Sequence, residues 1–179
     1  MKIKLLSVIL SLTMLMSLMI SCANKEEPGK PTEYDGMVID AEYTVVRSEK
    51  GNNSVINTAR KLKEAINQKS GVDVGFGTDF VKRGDEAPAK EILIGDVDRE
   101  LEFDRTTLDV GDFYIGIEGD KIIIDAYDEL TLNAFVEQII EVWLKEDCGI
   151  VEKGVLIINE SICKKLNERT RRLETKRSS

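Results

Sequence analysis

The chain contains no histidine, so the reactive groups it offers are carboxylates, lysines, tyrosines and three cysteines. That removes Ser-His-Asp and Cys-His nucleophilic arrangements, imidazole general-base catalysis and histidine-containing zinc sites. Carboxylates are plentiful, and adjacent pairs occur at Asp85-Glu86, Asp128-Glu129 and Glu146-Asp147. Glycoside hydrolysis by a general acid and base needs two carboxyls facing each other across a cleft, about 5–10 Å apart. Neighbours in sequence do not provide that, and each pair stands at a loop or helix end where acids are ordinary. Asp96, Asp98, Glu100 and Glu102 alternate, with Asp104 beyond. The glycine and terminal glutamate spacing of an EF-hand is absent, and Arg99 puts positive charge inside the array. The array reads as a solvated turn. Arg99 is expected to bond carboxylates or strand-end carbonyls rather than substrate. No catalytic residue, metal site or cofactor is assigned, and the ligand-binding residues stay unknown.

The cysteine with a definite chemical expectation is Cys22. Lys2 and Lys4 form a positive head, an apolar run follows from Leu5 to Ile20, and the segment closes as Leu18-Met19-Ile20-Ser21-Cys22. A charged start, a short apolar core and a small residue before the cut describe a secretory signal. With cysteine immediately after the cut, the segment resembles the lipobox of a bacterial lipoprotein. The resemblance implies removal of residues 1–21, lipidation of Cys22 (diacylglyceryl and palmitate-type chains), and residence on the outer face of the cell membrane. A transmembrane anchor would need roughly 20 uninterrupted apolar residues, and Ser7, Ser11, Thr13 and Ser17 break this run. Cys148 and Cys163, fifteen positions apart, are free to pair or to stay as thiols.

Loss of residues 1–21 takes the net charge from −8 to −10, because Lys2 and Lys4 leave with them. An acidic chain is a poor partner for nucleic acid, whose phosphates need a basic face. Aromatic residues make up 6% of the chain, which argues against a sugar-binding cleft, since such sites commonly stack rings on aromatic faces, although one or two placed aromatics can suffice.

Residues 22–36, with Pro28, Gly29 and Pro31, read as a flexible tether. Residues 37–160 carry the patterned elements. A strand is expected over Ala41 to Val46, and then a helix capped by Asn53 or Ser54. Its stripe is Val55, Ala59, Leu62 and Ile66, and it ends at Gly71. An irregular strand follows between Val72 and Phe80. A buried strand Glu91-Ile92-Leu93-Ile94 runs into Gly95. A hairpin joins Phe113–Ile117 to Lys121–Ala126 through Glu118-Gly119-Asp120. A wide-striped helix covers about Glu129 to Lys145, and Val155–Ile158 is a last strand. The order predicts an α/β (α+β) fold, a small mixed sheet with two helices packed on one face. Residues 161–179, whose seven cations from Lys164 to Arg177 face only Glu168 and Glu174, read as a basic disordered tail.

Tyr43-Thr44-Val45-Val46, the helix ending Lys69-Ser70-Gly71-Val72, Glu91-Ile92-Leu93-Ile94-Gly95 with Arg99, Gly111-Asp112-Phe113-Tyr114-Ile115 and Gly119-Asp120-Lys121-Ile122-Ile123-Ile124 occur in one order. In that order they resemble the small non-catalytic α/β accessory domain in front of the catalytic barrel of β-N-acetylhexosaminidases and α-glucuronidases. The resemblance spans roughly Ala41 to Lys145. The barrel that holds the catalytic carboxylates in those enzymes needs about 250 residues; thirty-four follow Lys145. The resemblance therefore implies a non-enzymatic binding or assembly module in glycan processing at the envelope, with a glycan or an envelope protein as partner. Two rivals stand beside it: a small lipid-anchored hydrolase working through carboxylates, and a relic accessory domain without a ligand.

Overall fold

The structure is a computed structural model that describes residues 34–145, 150–151 and 155–177. Cys22, Glu146, Asp147 and Cys148 lie outside the described residues, and so do the expected signal segment and most of the tether. Among the described residues, eight strands form two sheets. The larger is built from β2 (Thr44–Arg47), β3 (Gly75–Thr78), β4 (Glu91–Ile94), β5 (Phe113–Glu118) and β6 (Lys121–Ala126), in the order β3-β2-β4-β6-β5. The first four in that order are parallel, and β5 returns antiparallel on β6. The smaller antiparallel sheet, β1-β8-β7, joins β1 (Met37–Ile39), β8 (Val155–Ile158) and β7 (Ile150–Val151). The final strand thus belongs to a second sheet rather than extending the first. Its partner β1, at three residues, is too short to show a period.

Strand alternation sorts the large sheet into two faces. Val45, Ile92, Ile94, Ile115, Ile122 and Ile124 point to the main core. Against them pack α1 (Asn53–Ser70) through Val55, Ala59, Leu62 and Ile66, and α2 (Glu129–Ile139) through Leu132, Phe135, Val136 and Ile139. The latter helix runs on as a π-helical segment, Ile140–Lys145, which turns the fully buried Trp143 inward. The indole N–H of Trp143 donates to the Ile157 carbonyl at 2.8 Å, tying the helix to the smaller sheet. The cap of α1 is Asn52, one residue ahead of the expected pair, and its side chain accepts from the amides of Ser54 and Val55. Gly71 ends the helix as expected, at φ 72°, with its N–H on the Asn67 carbonyl.

A third helix corrects the expectation for the C-terminus. Glu160–Arg177 is α3, not a disordered tail. Charge count hid a short apolar stripe: Ile162, Cys163 and Leu166 are all buried in the main core. Asn159 starts the helix, its side chain accepting from the Ile162 amide at 2.9 Å. Asn167 docks it on the edge strand β5, taking the Ile115 amide (3.1 Å) on its oxygen and giving its NH2 to the Ile115 carbonyl (3.0 Å). One carboxamide thus stands in for a neighbouring strand residue. Cys163 is a buried free thiol, and burial pushes it up to about 12. Among the described residues no helix is long and apolar enough to cross a membrane.

The second face carries Val46, Leu93 and Ile123, and it is covered by the segment between β4 and β5 rather than by a helix. Leu101 and Phe103 pack on it, and the Phe103 ring stacks on Tyr114 at 4.1 Å. Tyr114 lies flat along its strand because Gly116 leaves room. A Cβ added at Gly116 would clash with the Tyr114 hydroxyl and the ring carbon that bears it. Gly116→Ala is expected to cost about 1–3 kcal/mol of stability through overpacking. Urea unfolding checks this, and Tyr114→Ala in the same chain should relieve the clash.

Candidate functional site

Four parallel strands end on one side of the sheet, and the segments leaving them build a polar groove there. In open α/β sheets, ligands bind outside the carboxyl ends of strands. Two crevices lie side by side. The first, of about 330 Å³, is lined by Gly51, Asn52, Gly95, Arg105, Asp125 and Asp128, among others. The second, of about 640 Å³, is lined by Asp79, Phe80, Val81, Val97, Asp98 and Arg99, among others. Ser48, Lys50 and Asp96 line both.

Most charges in the groove are already engaged. Asp79, at the end of β3, accepts from the amides of Glu49 (2.7 Å) and Asp98 (2.9 Å). Burial alone would raise its carboxyl. The two amides, the Ser48 hydroxyl and the Arg99 charge together hold it below the usual carboxylate range. Arg99, with a side chain 7% exposed, grips the fully buried Glu91 carboxylate with Nη2 at 2.7 Å and Nε at 3.0 Å. Its Nη1 donates to the carbonyls of Asp79 and Asp98. The residue thus bonds a carboxylate and a strand-end carbonyl, as its place in the sequence led one to expect.

Asp125 is a further buried acid. Strand alternation turns it to the second face, where Arg105 Nη1 meets it at 2.9 Å and the Ala126 amide donates to it at 2.7 Å. Burial pushes its carboxyl up to about 6, against the pull of Arg105 and the Ala126 amide, with Asp96 adding repulsion. The helix starts are closed as well. Asn52 caps α1 and donates to Glu129, and Asp128 accepts from the Thr131 amide. Those N-termini therefore offer few free donors to an anion.

What stays unengaged is central. Lys50 and Asp96 are exposed, and neither makes a hydrogen bond or ion pair among the described residues. A donor and an acceptor without partners stand where the two crevices meet. The alternating acids do not converge on a point: Asp104 caps the 3₁₀ turn Arg105–Thr107, while the amides of Glu102 and Phe103 donate to Glu118. Among the described residues no group of three or more acids or thiols is arranged to hold a metal ion. Asp85-Glu86 sits exposed in the loop before β4, and Asp128-Glu129 belongs to the start of α2. Sequence reading passed over Asp125, although the Lys121-Ile123-Asp125 alternation signals an acid on a covered face.

No family model matches the chain, and no curated protein does. Among solved structures, it is similar to a GH138 enzyme targeting pectin rhamnogalacturonan II, with a TM-score of 0.39 at 14% identity over 64% of this chain and 15% of that one. It is also similar to CpGH84D, with a TM-score of 0.42 at 13% identity over 70% of this chain and 21% of that one. Both are chains of glycoside hydrolase families, and this chain spans about a fifth or less of their length.

Proposed function

We propose that the protein is a non-catalytic binding module held at the outer face of a bacterial membrane by lipid on Cys22, with a saccharide as its ligand and glycan processing at the envelope as its setting. The observation that supports it most directly is the unengaged Lys50 and Asp96 in an open polar groove at the strand carboxyl ends. A lysine and a carboxylate suit sugar hydroxyls, which both accept and donate. The buried acids Glu91 and Asp125 are each locked to an arginine and so are poorly placed to exchange roles in hydrolysis. A lipid anchor of two acyl chains suffices to keep such a module on a membrane without a spanning helix.

The test is a glycan array probed with the full-length chain in detergent, beside Lys50→Met with Asp96→Asn. Binding that survives high salt and falls at least tenfold in the double variant supports the reading. Silence across the array ends the saccharide claim and leaves a protein partner or a relic domain.

One observation favours the hydrolase reading: a carboxyl pushed to about 6 in a crevice is the signature of a tuned acid. Turnover of chromogenic glycosides separates the two. A hydrolase working through Asp125 loses activity in Asp125→Asn, whereas a binding module shows no turnover in either form.

A further inference from the structure

We infer that α3 is a basic docking surface for the anionic headgroups of the membrane to which the chain is anchored. This rests on the lipid-anchor reading above and adds which part of the domain meets the bilayer. Charge is divided unevenly along the chain. Residues 34–160 hold 28 acids and 14 bases, whereas residues 161–179 hold two acids and seven bases. A net of −14 thus stands against a net of +5, and all seven of those bases belong to α3.

The fold does not account for these cations. Lys164 and Lys165 are exposed and make no hydrogen bond or ion pair among the described residues. The helix dipole favours cations only within the last turn. That covers Lys176 and Arg177 and leaves Lys164, Lys165, Arg169, Arg171 and Arg172 without a reason. A block of like charge repels itself, and anionic headgroups relieve that repulsion.

The helix also begins where the tether arrives. Asn159, at the head of α3, donates its carboxamide N–H to the Asp35 carbonyl at 2.6 Å. Two residues beyond Asp35, Met37 pairs with Ile158. The chain coming from Cys22 therefore enters the domain at the start of α3. The stretch from Cys22 to Asp35 reaches at most about 45 Å, and the helix, at 18 residues, is about 27 Å long. All of α3 lies within that reach. The same headgroups repel the groove, whose acids include Asp79, Asp96 and Asp98. The charge that draws α3 to the surface thus keeps the groove off it.

The experiment uses the full-length chain made in a bacterial host, with the acyl groups on Cys22 read by mass spectrometry. It is placed on vesicles of phosphatidylcholine, alone or mixed with phosphatidylglycerol. Flotation with the vesicles reads the anchor, and the rate of trypsin cutting after Arg169, Arg171 and Arg172 reads α3. Cutting is expected to be about tenfold slower on the anionic vesicles than on the neutral ones. The difference should vanish in high salt and in Lys164→Glu with Lys165→Glu, which keeps those three cut sites. Equal rates on the two vesicles overturn the docking surface, while flotation on both keeps the anchor. A chain that floats only with phosphatidylglycerol, and is protected there, keeps the docking surface and ends the anchor reading. If soluble polyphosphate slows cutting and anionic vesicles do not, the partner is a free polyanion and the membrane assignment falls.

Discussion

Arg99→Met is expected to lower the unfolding free energy by about 3–5 kcal/mol, the effect of stripping one partner from a buried ion pair. Glu91 has no exposed side-chain surface, and after the change its nearest cation is Lys121 at 3.8 Å. Burying a carboxylate without a well-placed partner costs several kcal/mol. The Asp79 and Asp98 carbonyls lose a donor in the same step. Chemical denaturation at neutral pH reads the loss directly, and a drop below about 1 kcal/mol would show that the pair is not the anchor described above.

A second variant separates charge from packing. Glu91→Leu together with Arg99→Met removes both charges and keeps apolar volume against Leu93 and Val97, so it should regain much of what Arg99→Met loses. Recovery identifies the stranded carboxylate as the cost. If the double variant is as unstable as the single one, the loss comes instead from the carbonyls and the covering segment. Either way the effect reaches the groove, because Arg99 lines its β3 side and holds the backbone next to Phe80.

The elements most legible in the sequence are those whose signal is local. The Ile92-Leu93-Ile94 run, the stripe of α1 with its Gly71 terminus, and the two-residue connection at Gly119-Asp120 all depend on neighbours within a few positions. Three features escaped for opposite reasons. Helix α3 was masked by its cations, since Ile162, Cys163 and Leu166 make only one turn of apolar stripe. The cover of the second face carries the pattern of a solvated turn because its acids alternate with Val97, Leu101 and Phe103; Arg99, within the segment, grips Glu91 of β4, and Glu118 of β5 accepts from the Glu102 and Phe103 amides. The groove is the least legible part. Ser48, Phe80, Asp96 and Asp125 come from four separated segments, and only the parallel order of the strands brings them to one side.

Asp125→Asn is expected to change how stability depends on pH, more than it changes stability at any one acid pH. The carboxyl stands near 6 in the folded chain, above about 3.9 when unfolded. Between those values the folded chain holds a proton that the unfolded chain has released. The group's contribution is therefore fully present below about pH 4 and is lost as pH rises through about 6. That window amounts to about 3 kcal/mol. Asp40, Asp79 and Asp128, all held below the ordinary range, tilt the curve the other way. The difference between parent and variant isolates Asp125. The variant should match the parent near pH 4 and exceed it by on the order of 2–3 kcal/mol at pH 7, with its carboxamide still accepting from Arg105. Parallel stability curves would show that the carboxyl is not raised. Arg105 bridges that carboxylate to the Ala126 and Tyr127 carbonyls, and both charged side chains line the smaller crevice. Binding by the variant on the glycan array then shows whether the charge serves that crevice.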